Sequence, residues 1–84
     1  AITSVYPNPF NSVTRIGYSL PEAAEVRLSV YDLTGRLVAE LVNGRLSAGR
    51  HTAVFDGAAL SSGVYMLRLD AGGRTSQLKV ALVK

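Results

Sequence analysis

The sequence predicts an all-β protein, an antiparallel sandwich of about seven short strands. Apolar and polar residues alternate with a period of two in several segments, as in strands with one buried face. Glycine, proline, asparagine and aspartate interrupt these segments at roughly 8–12-residue intervals, and no segment has a convincing helical pattern. This combination is typical of immunoglobulin-like sandwiches, with a β-barrel as the alternative architecture.

The length and composition indicate one small domain with one core. The chain has 84 residues, of which 48% are hydrophobic, and it contains no cysteine. A small sheet protein can fold without disulfides, so the absence of cysteine leaves the cellular compartment open. No apolar run reaches the length of a membrane helix, and no signal peptide is present. We interpret residues 1–84 as a module of a longer protein, with any export signal upstream.

The charge pattern argues against a nucleic-acid partner. The net charge is +3, and seven of the nine basic residues are arginines that are scattered along the chain. A groove for single strands would place aromatic residues among clustered cations, which this sequence does not do. A solubilising surface explains the charges best, and an acidic partner or an anionic surface polysaccharide is the alternative.

The clearest strand covers residues 63–70, between Gly63 and the Gly72-Gly73 pair. Tyr65 follows a corner at residues 59–63 and could return its hydroxyl to the backbone there, as immunoglobulin-like sandwiches do. A packed tyrosine with a solvated hydroxyl is an equally good interpretation. One predicted face carries Tyr65, Leu67 and Leu69, and the other carries Val64, Met66 and Arg68.

The first part of the chain predicts an edge strand followed by a stiff bend. Residues 2–5 form the short strand, and the prolines of Tyr6-Pro7-Asn8-Pro9-Phe10-Asn11 end it by removing backbone donors. We expect Tyr6 and Phe10 to cap the end of the core. A ligand platform made of these two aromatic rings is the less favoured alternative.

The remaining alternating segments complete the predicted sandwich. The segment at residues 36–42 also fits a short helix, but the flanking turns favour a strand. Phe55 is the expected core anchor of its strand. The predicted strands cover residues 12–20, 26–31, 36–42, 51–56 and 75–83.

Turn chemistry predicts where these strands reverse direction. Gly35 is expected at positive φ in the hairpin at residues 32–36, and Gly72-Gly73 is the expected two-residue hairpin loop. Asn43-Gly44 is also a strong two-residue turn signal. A loop is expected at residues 21–25 and a further bend at residues 46–49.

The sequence offers no constellation for catalysis, a metal or a cofactor. His51 is the only histidine, and without cysteine it cannot form a plausible zinc site. Glu22 and Glu25 lie in a solvated loop with no histidine or anchored carboxylate nearby. No serine has the context of a nucleophile elbow, and no glycine loop precedes a helix. We therefore expect a non-enzymatic domain with no cofactor.

Several short motifs follow one another along nearly the whole chain. They are Tyr6-Pro7-Asn8-Pro9-Phe10-Asn11, Val30-Tyr31-Asp32-Leu33-Thr34-Gly35-Arg36, Ala48-Gly49 before Phe55-Asp56, Leu60-Ser61-Ser62-Gly63-Val64-Tyr65, and Leu78-Lys79-Val80 with Lys84. Each motif is weak alone, but their order and spacing together are specific. Together they resemble one protein family, the C-terminal sorting domain of the type IX (Por) secretion system of Bacteroidetes-like bacteria.

The resemblance implies an immunoglobulin-like domain at the C-terminus of a large exported protein that reaches the cell surface or the medium. The partners it implies are the outer-membrane translocon and a surface sortase-like peptidase, which in many members joins the cargo to anionic lipopolysaccharide. We also expect the domain to be a monomer. Phe55 stands where tryptophan is frequent in the family. The residues that match the recognition motifs are Gly63, Val64, Tyr65, Lys79 and Lys84.

Two other functions remain open from the sequence. A carbohydrate-binding accessory module of a polysaccharide-degrading enzyme would need an exposed, coplanar aromatic strip, for which Tyr6, Phe10 and Tyr31 are candidates. A purely structural spacer is the other possibility. Spacing alone would assign Lys79 and Lys84 to edge-strand solubility, whereas the resemblance favours recognition by an acidic receptor surface.

Overall fold

The computed structural model covers residues 1–84 and confirms the all-β sandwich of seven strands. No helix that could cross a membrane is found in it. The strands are β1 (Ile2–Tyr6), β2 (Val13–Leu20), β3 (Ala24–Tyr31), β4 (Leu37–Leu46), β5 (Gly49–Asp56), β6 (Gly63–Ala71) and β7 (Arg74–Leu82).

Two antiparallel sheets face each other across one apolar core. The three-stranded sheet has the order β1-β2-β5, and the four-stranded sheet has the order β4-β3-β6-β7. The inward-facing residues alternate with exposed ones, as strands with one buried face require. The core consists of Phe10, Ile16, Tyr18, Leu20, Val26, Leu28, Val30, Ala53, Phe55, Tyr65, Leu67, Leu69, Val80 and Leu82.

Three predictions about strands and hairpins are confirmed. The segment predicted at residues 36–42 is a strand and not a helix, since β4 begins at Leu37. Gly35 has φ of 84° in its hairpin. Gly72 and Gly73 have φ of 56° and 79° and connect β6 to β7, with Ala71 paired to Arg74.

The predicted turn at Asn43-Gly44 is wrong. Both residues lie inside β4, where Asn43 pairs with Arg27 and Gly44 pairs with Val26. The partner strand β3 is long enough to continue the ladder past this dipeptide, so its local turn preference is overridden by pairing. The chain reverses a few residues later, where Gly49 takes a φ of 119°.

The prediction that two aromatic residues cap the core is only half right. Phe10 is buried with 2% of its surface exposed, whereas Tyr6 is 79% exposed. Tyr6 still belongs to β1, where it pairs with Arg15 and points to solvent. The chain then crosses through Pro7 and Pro9 to the other sheet, and Phe10 alone enters the core.

Candidate functional site

Most of the sequence motifs converge at one end of the sandwich, which we call the motif end. It comprises residues 7–12, 32–36 and 57–63 together with the chain end at residues 82–84. The strand register places these segments side by side, since Gly63 pairs with Leu82 and Tyr31 pairs with Met66. The opposite end carries Ala1, which donates from its amino group to Ser19 O, and the Gly72-Gly73 loop.

Residues 8–10 bind the outer edge of β7 at the motif end. The side-chain amide of Asn8 donates to Lys79 O at 3.3 Å and accepts from Ala81 N at 3.1 Å. Phe10 then continues the pairing through its backbone, donating to Ala81 O and accepting from Val83 N at 2.9 and 2.8 Å. The Asn8 amide thus takes the place that a peptide group of an added strand would occupy.

The side chain of Phe10 fixes this edge pairing to the core. Its ring lies 5.4 Å from the ring of Phe55, centroid to centroid, in a tilted arrangement. Gly57 leaves room for it, because a Cβ at this position would lie 3.2 Å from Phe10 Cε2 and 3.1 Å from Leu82 Cδ2. Thr14 is fully buried and donates from Oγ1 to Pro7 O at 2.7 Å. The bend that precedes Phe10 is therefore anchored as well.

Tyr65 closes the corner that leads into β6. Its ring is 7% exposed and packs edge-on against Phe55, with 6.3 Å between ring centroids. Its hydroxyl donates to Ser61 O at 2.6 Å. This bond confirms the tyrosine-corner interpretation over that of a solvated hydroxyl.

The last residue of the chain is bound to the same corner. The Lys84 backbone amide donates to Ser62 Oγ at 3.0 Å, and its ammonium group donates to Ala58 O at 2.6 Å. The chain end therefore lies between residues 8–10 on one side and the corner at residues 57–62 on the other. We call this arrangement, made of residues 7–12, 57–65 and 79–84, the terminal clamp.

The family of the chain follows from a comparison of its sequence with protein-family models. The model of the secretion system C-terminal sorting domain matches residues 4–84, which is nearly the whole chain. The chain belongs to this family. The sorting domain is thus a signal for type IX secretion, and the protein that carries it is exported to the cell surface or beyond. A comparison with curated proteins gives no match.

The structure places the five predicted site residues of the sorting domain in two different environments. Gly63 starts β6, and Tyr65 is buried in the corner, so both shape the terminal clamp. Val64 is 38% exposed on the outer face of the four-stranded sheet, and Lys79 is exposed on the same face with no ion pair. Lys84 is exposed, but its ammonium group is held by Ala58 O.

Three residues in or beside the clamp were not predicted as site residues. Asn8 belongs to the predicted stiff bend, and its side-chain amide binds the distant strand β7. Thr14 and Gly57 carried no functional prediction, although one is buried against the bend and the other leaves room for Phe10. The order of the motifs was the only sequence signal for this site. It assigns residues 8–10 and 79–84 to the same family pattern, but it does not show that the two segments are in contact.

The sorting domain contains no group of three or more histidine, cysteine, aspartate or glutamate residues that could hold a metal ion. His51 lies on the edge strand β5, with Nε2 2.8 Å from Ser47 O and its ring stacked on Tyr18. Burial raises the pKa of the Tyr18 phenol. The contacts of His51 with Ser47 and Tyr18 are those of a structural residue.

The aromatic residues do not form a flat glycan-binding strip. Phe10 is inside the core, and the other two candidates lie on opposite sheets, Tyr6 on β1 and Tyr31 on β3. A sugar-stacking platform needs neighbouring exposed rings, so this arrangement gives no support to a carbohydrate-binding module.

Proposed function

We propose that residues 1–84 form the C-terminal unit of a larger exported protein and that the outer-membrane translocon recognises the folded motif end. The observation that carries this proposal is the terminal clamp. Motifs that are far apart in the sequence meet there in a single structure, and the last strand is part of it. A receptor can therefore recognise the folded end of the domain instead of a linear peptide.

The five predicted site residues have two different roles in this proposal. Gly63 and Tyr65 hold the corner in shape, and Lys84 fastens the chain end to it. Val64 and Lys79 offer accessible groups on the outer face, where a receptor with an apolar surface and carboxylates would meet them. Lys79 and Lys84 would then act differently, the first by contact with the receptor and the second by positioning.

Later processing fits the same arrangement. We propose that a sortase-like peptidase separates the domain from its cargo and that the cargo is attached to anionic lipopolysaccharide. Ala1 lies at the end of the sandwich opposite the terminal clamp. A cut in a segment preceding Ala1 would thus take place away from the receptor contact. The domain itself needs no partner copy in this scheme and acts as a monomer.

The proposal is tested by fusing the chain to a reporter that has an ordinary export signal, in a bacterium with the type IX system. The reporter is measured at the cell surface, in the medium and in the periplasm. We expect the intact fusion to leave the periplasm and the reporter without the domain to stay there. Retention of both in the periplasm would contradict the sorting role.

Deleting residues 79–84 is not a clean version of this test. The deletion would remove Val80 and Leu82, which are each 1% exposed, and would leave Phe10 without its partner strand. Loss of export could then reflect unfolding alone. Point substitutions are cleaner: Lys84→Ala should reduce export only modestly, while Arg74→Ala at the far end of β7 serves as the matched control.

A further inference from the structure

The outer face of the four-stranded sheet carries a continuous apolar row near the motif end. Leu37 on β4 pairs with Tyr31 on β3, and Tyr31 pairs with Met66 on β6. Met66 in turn pairs with Lys79 on β7, so the row crosses all four strands and ends in a cation. We call the set Leu37, Tyr31, Met66 and Lys79 the apolar row.

The side chain of Leu33 extends the apolar surface beyond the row. Leu33, in the hairpin after β3, is 72% exposed, and Leu37 in the row is 43% exposed. An open depression of about 380 Å³ lies between this hairpin and the sheet, lined by Tyr31, Leu33, Met66 and Gln77 among others. Folding does not require Leu33 to be apolar, because most of its side chain is in water. An exposed apolar cluster of this kind is typical of an interaction site.

Two cations near the row form no ion pair, Lys79 at its end and Arg36 just before Leu37. Arg27 pairs with Glu40 at 3.1 Å, and Arg68 pairs with Asp70 at 3.2 Å, below the row. The carboxylate of Asp32, beside Leu33, accepts hydrogen bonds from Thr34 and from the Arg36 amide within its own turn. Lys79 has no such partner, so the row ends in a positive charge that a carboxylate can reach.

The other sheet has no comparable surface. At the same end, its outer face places Arg15 on β2 between Tyr6 on β1 and Val54 on β5. The two apolar side chains are therefore separated by a charge, although Tyr6 and Val54 are 79% and 54% exposed. Exposure alone does not distinguish the two faces, but the continuity of the apolar row does.

We infer that the apolar row, with Leu33, is the docking surface for a protein of the export machinery that presents an apolar patch with a carboxylate facing Lys79. This inference rests on the proposed sorting function and names the face that is recognised. A protein is favoured over an anionic membrane, since membrane attraction generally needs a cluster of several cations. Here Lys79 and Arg36 are too few for such a cluster, and they border an apolar surface that a folded partner can cover.

The experiment uses the reporter fusion with substitutions on the two faces. Leu33→Ser and Lys79→Glu should each lower the exported fraction on the order of tenfold, as loss of an apolar contact or of a charge pair implies. Lys79→Arg keeps the charge and should export normally. Tyr6→Ser and Arg74→Glu, which make the same kinds of change away from the row, should also export normally. Urea unfolding of each purified domain identifies any variant that fails to fold.

The outcomes separate this inference from the sorting function. Export of the intact fusion together with normal export of the folded Leu33→Ser and Lys79→Glu variants would overturn the docking surface and leave sorting intact. Equal loss in the Tyr6→Ser control would also overturn it. Binding of the purified domain to vesicles rich in anionic lipid, abolished by Lys79→Glu, would assign the row to a membrane instead. Retention of the intact fusion would overturn the sorting function itself.

Discussion

The hydroxyl of Tyr65 donates a hydrogen bond to the carbonyl oxygen of Ser61 at 2.6 Å, across a corner of four residues. The phenol ring fills the core beside Phe55, so one side chain joins the core to the loop that receives the chain end. The corner also supplies Ser62 Oγ and Ala58 O to Lys84. The position of the last residue thus depends on the same corner that Tyr65 holds in place.

Replacing Tyr65 with phenylalanine should destabilise the domain by about 1 kcal/mol, the usual net value of an intramolecular hydrogen bond. The ring and its packing remain, so the loss comes from leaving Ser61 O without its donor. The measurement is urea unfolding at neutral pH. Tyr6→Phe is the control, because Tyr6 is largely in water, and an equal loss there would contradict the assignment.

The side-chain amide of Asn8 should control the opening of β7 at the motif end. Asn8→Ala removes both bonds to the strand, and exchange of the Ala81 amide hydrogen should accelerate about tenfold, corresponding to ~1.4 kcal/mol of local stability. Hydrogen exchange followed by NMR gives the rate for that single amide. The exposed neighbour Asn11 offers the control substitution Asn11→Ala.

Replacing Asn8 with aspartate distinguishes the contributions of the two hydrogen bonds that the Asn8 side chain makes to β7. Asn8→Asp keeps an acceptor for Ala81 N but loses the donor to Lys79 O, and places negative charge next to that carbonyl. Protonation restores a donor, so the Asn8→Asp variant should approach the native exchange rate as the pH falls. An Ala81 exchange rate unaffected by either substitution would show that Phe10 alone holds this edge.

The sandwich could be predicted from the sequence because its strands alternate in the simplest way. Residues 63–70 and 75–83 carry clean patterns, and their hairpin contains the Gly72-Gly73 pair that the turn needs. Asn43-Gly44 misled because a turn signal is local, whereas pairing with β3 extends over the whole strand. Local preference is informative only where long-range pairing does not compete with it.

The site was harder to predict than the fold because the contacts of Asn8 join residues 71 and 73 positions apart in the sequence. The motif order identified the segments around Asn8 and Lys79, yet period-two patterns cannot show that one side chain binds the other strand's backbone. Burial of Ser29 was also missed. It lies on the nominally polar face of β3, fully covered and without a hydrogen-bond partner, between Glu40 and Arg68 in the register.

Asp32 should give the hairpin at residues 32–36 a measurable pH dependence. Its pKa is lowered, first by the hydrogen bond from the Thr34 hydroxyl and next by the bond from the Arg36 amide. A carboxyl with a lowered pKa in the folded state stabilises that state above its unfolded pKa of about 4. This contribution is lost as the pH falls through the lower, folded value.

The carbon-13 shift of the Asp32 carboxyl, followed by NMR, should therefore titrate below that of an aspartate in an unfolded peptide. The difference in unfolding free energy between the native domain and Asp32→Asn should shrink as the pH falls over the same range. Asp70 should titrate low as well, because its pKa is lowered first by the hydrogen bond from Thr75. A normal midpoint for Asp32 would contradict the hydrogen-bonded turn.

Gly57 and Gly44 should respond in opposite ways to alanine. At Gly57 a Cβ would lie 3.1 Å from Leu82 Cδ2 and 3.2 Å from Phe10 Cε2, in the middle of the terminal clamp. At Gly44 a Cβ would meet nothing within 4 Å, and its φ lies outside the range that favours glycine. Gly57→Ala should destabilise the domain by about 1–2 kcal/mol through overpacking. Gly44→Ala should be neutral or stabilise it by about 0.5 kcal/mol, because alanine restricts the unfolded chain.

Urea unfolding measures the stability of both variants. Amide exchange near Lys84 shows whether the effect of the added methyl group is local. If the clamp is packed as described, Gly57→Ala should also speed exchange of the Val83 amide, which donates to Phe10 O, while Gly44→Ala leaves it unchanged. Displacement of Phe10 would explain both the lower stability and the faster exchange. Its ring would contact the added methyl group, and its backbone oxygen accepts the hydrogen bond from Val83. Equal stability of the two variants would mean that the contacts among Gly57, Phe10 and Leu82 are loose enough to admit a methyl group.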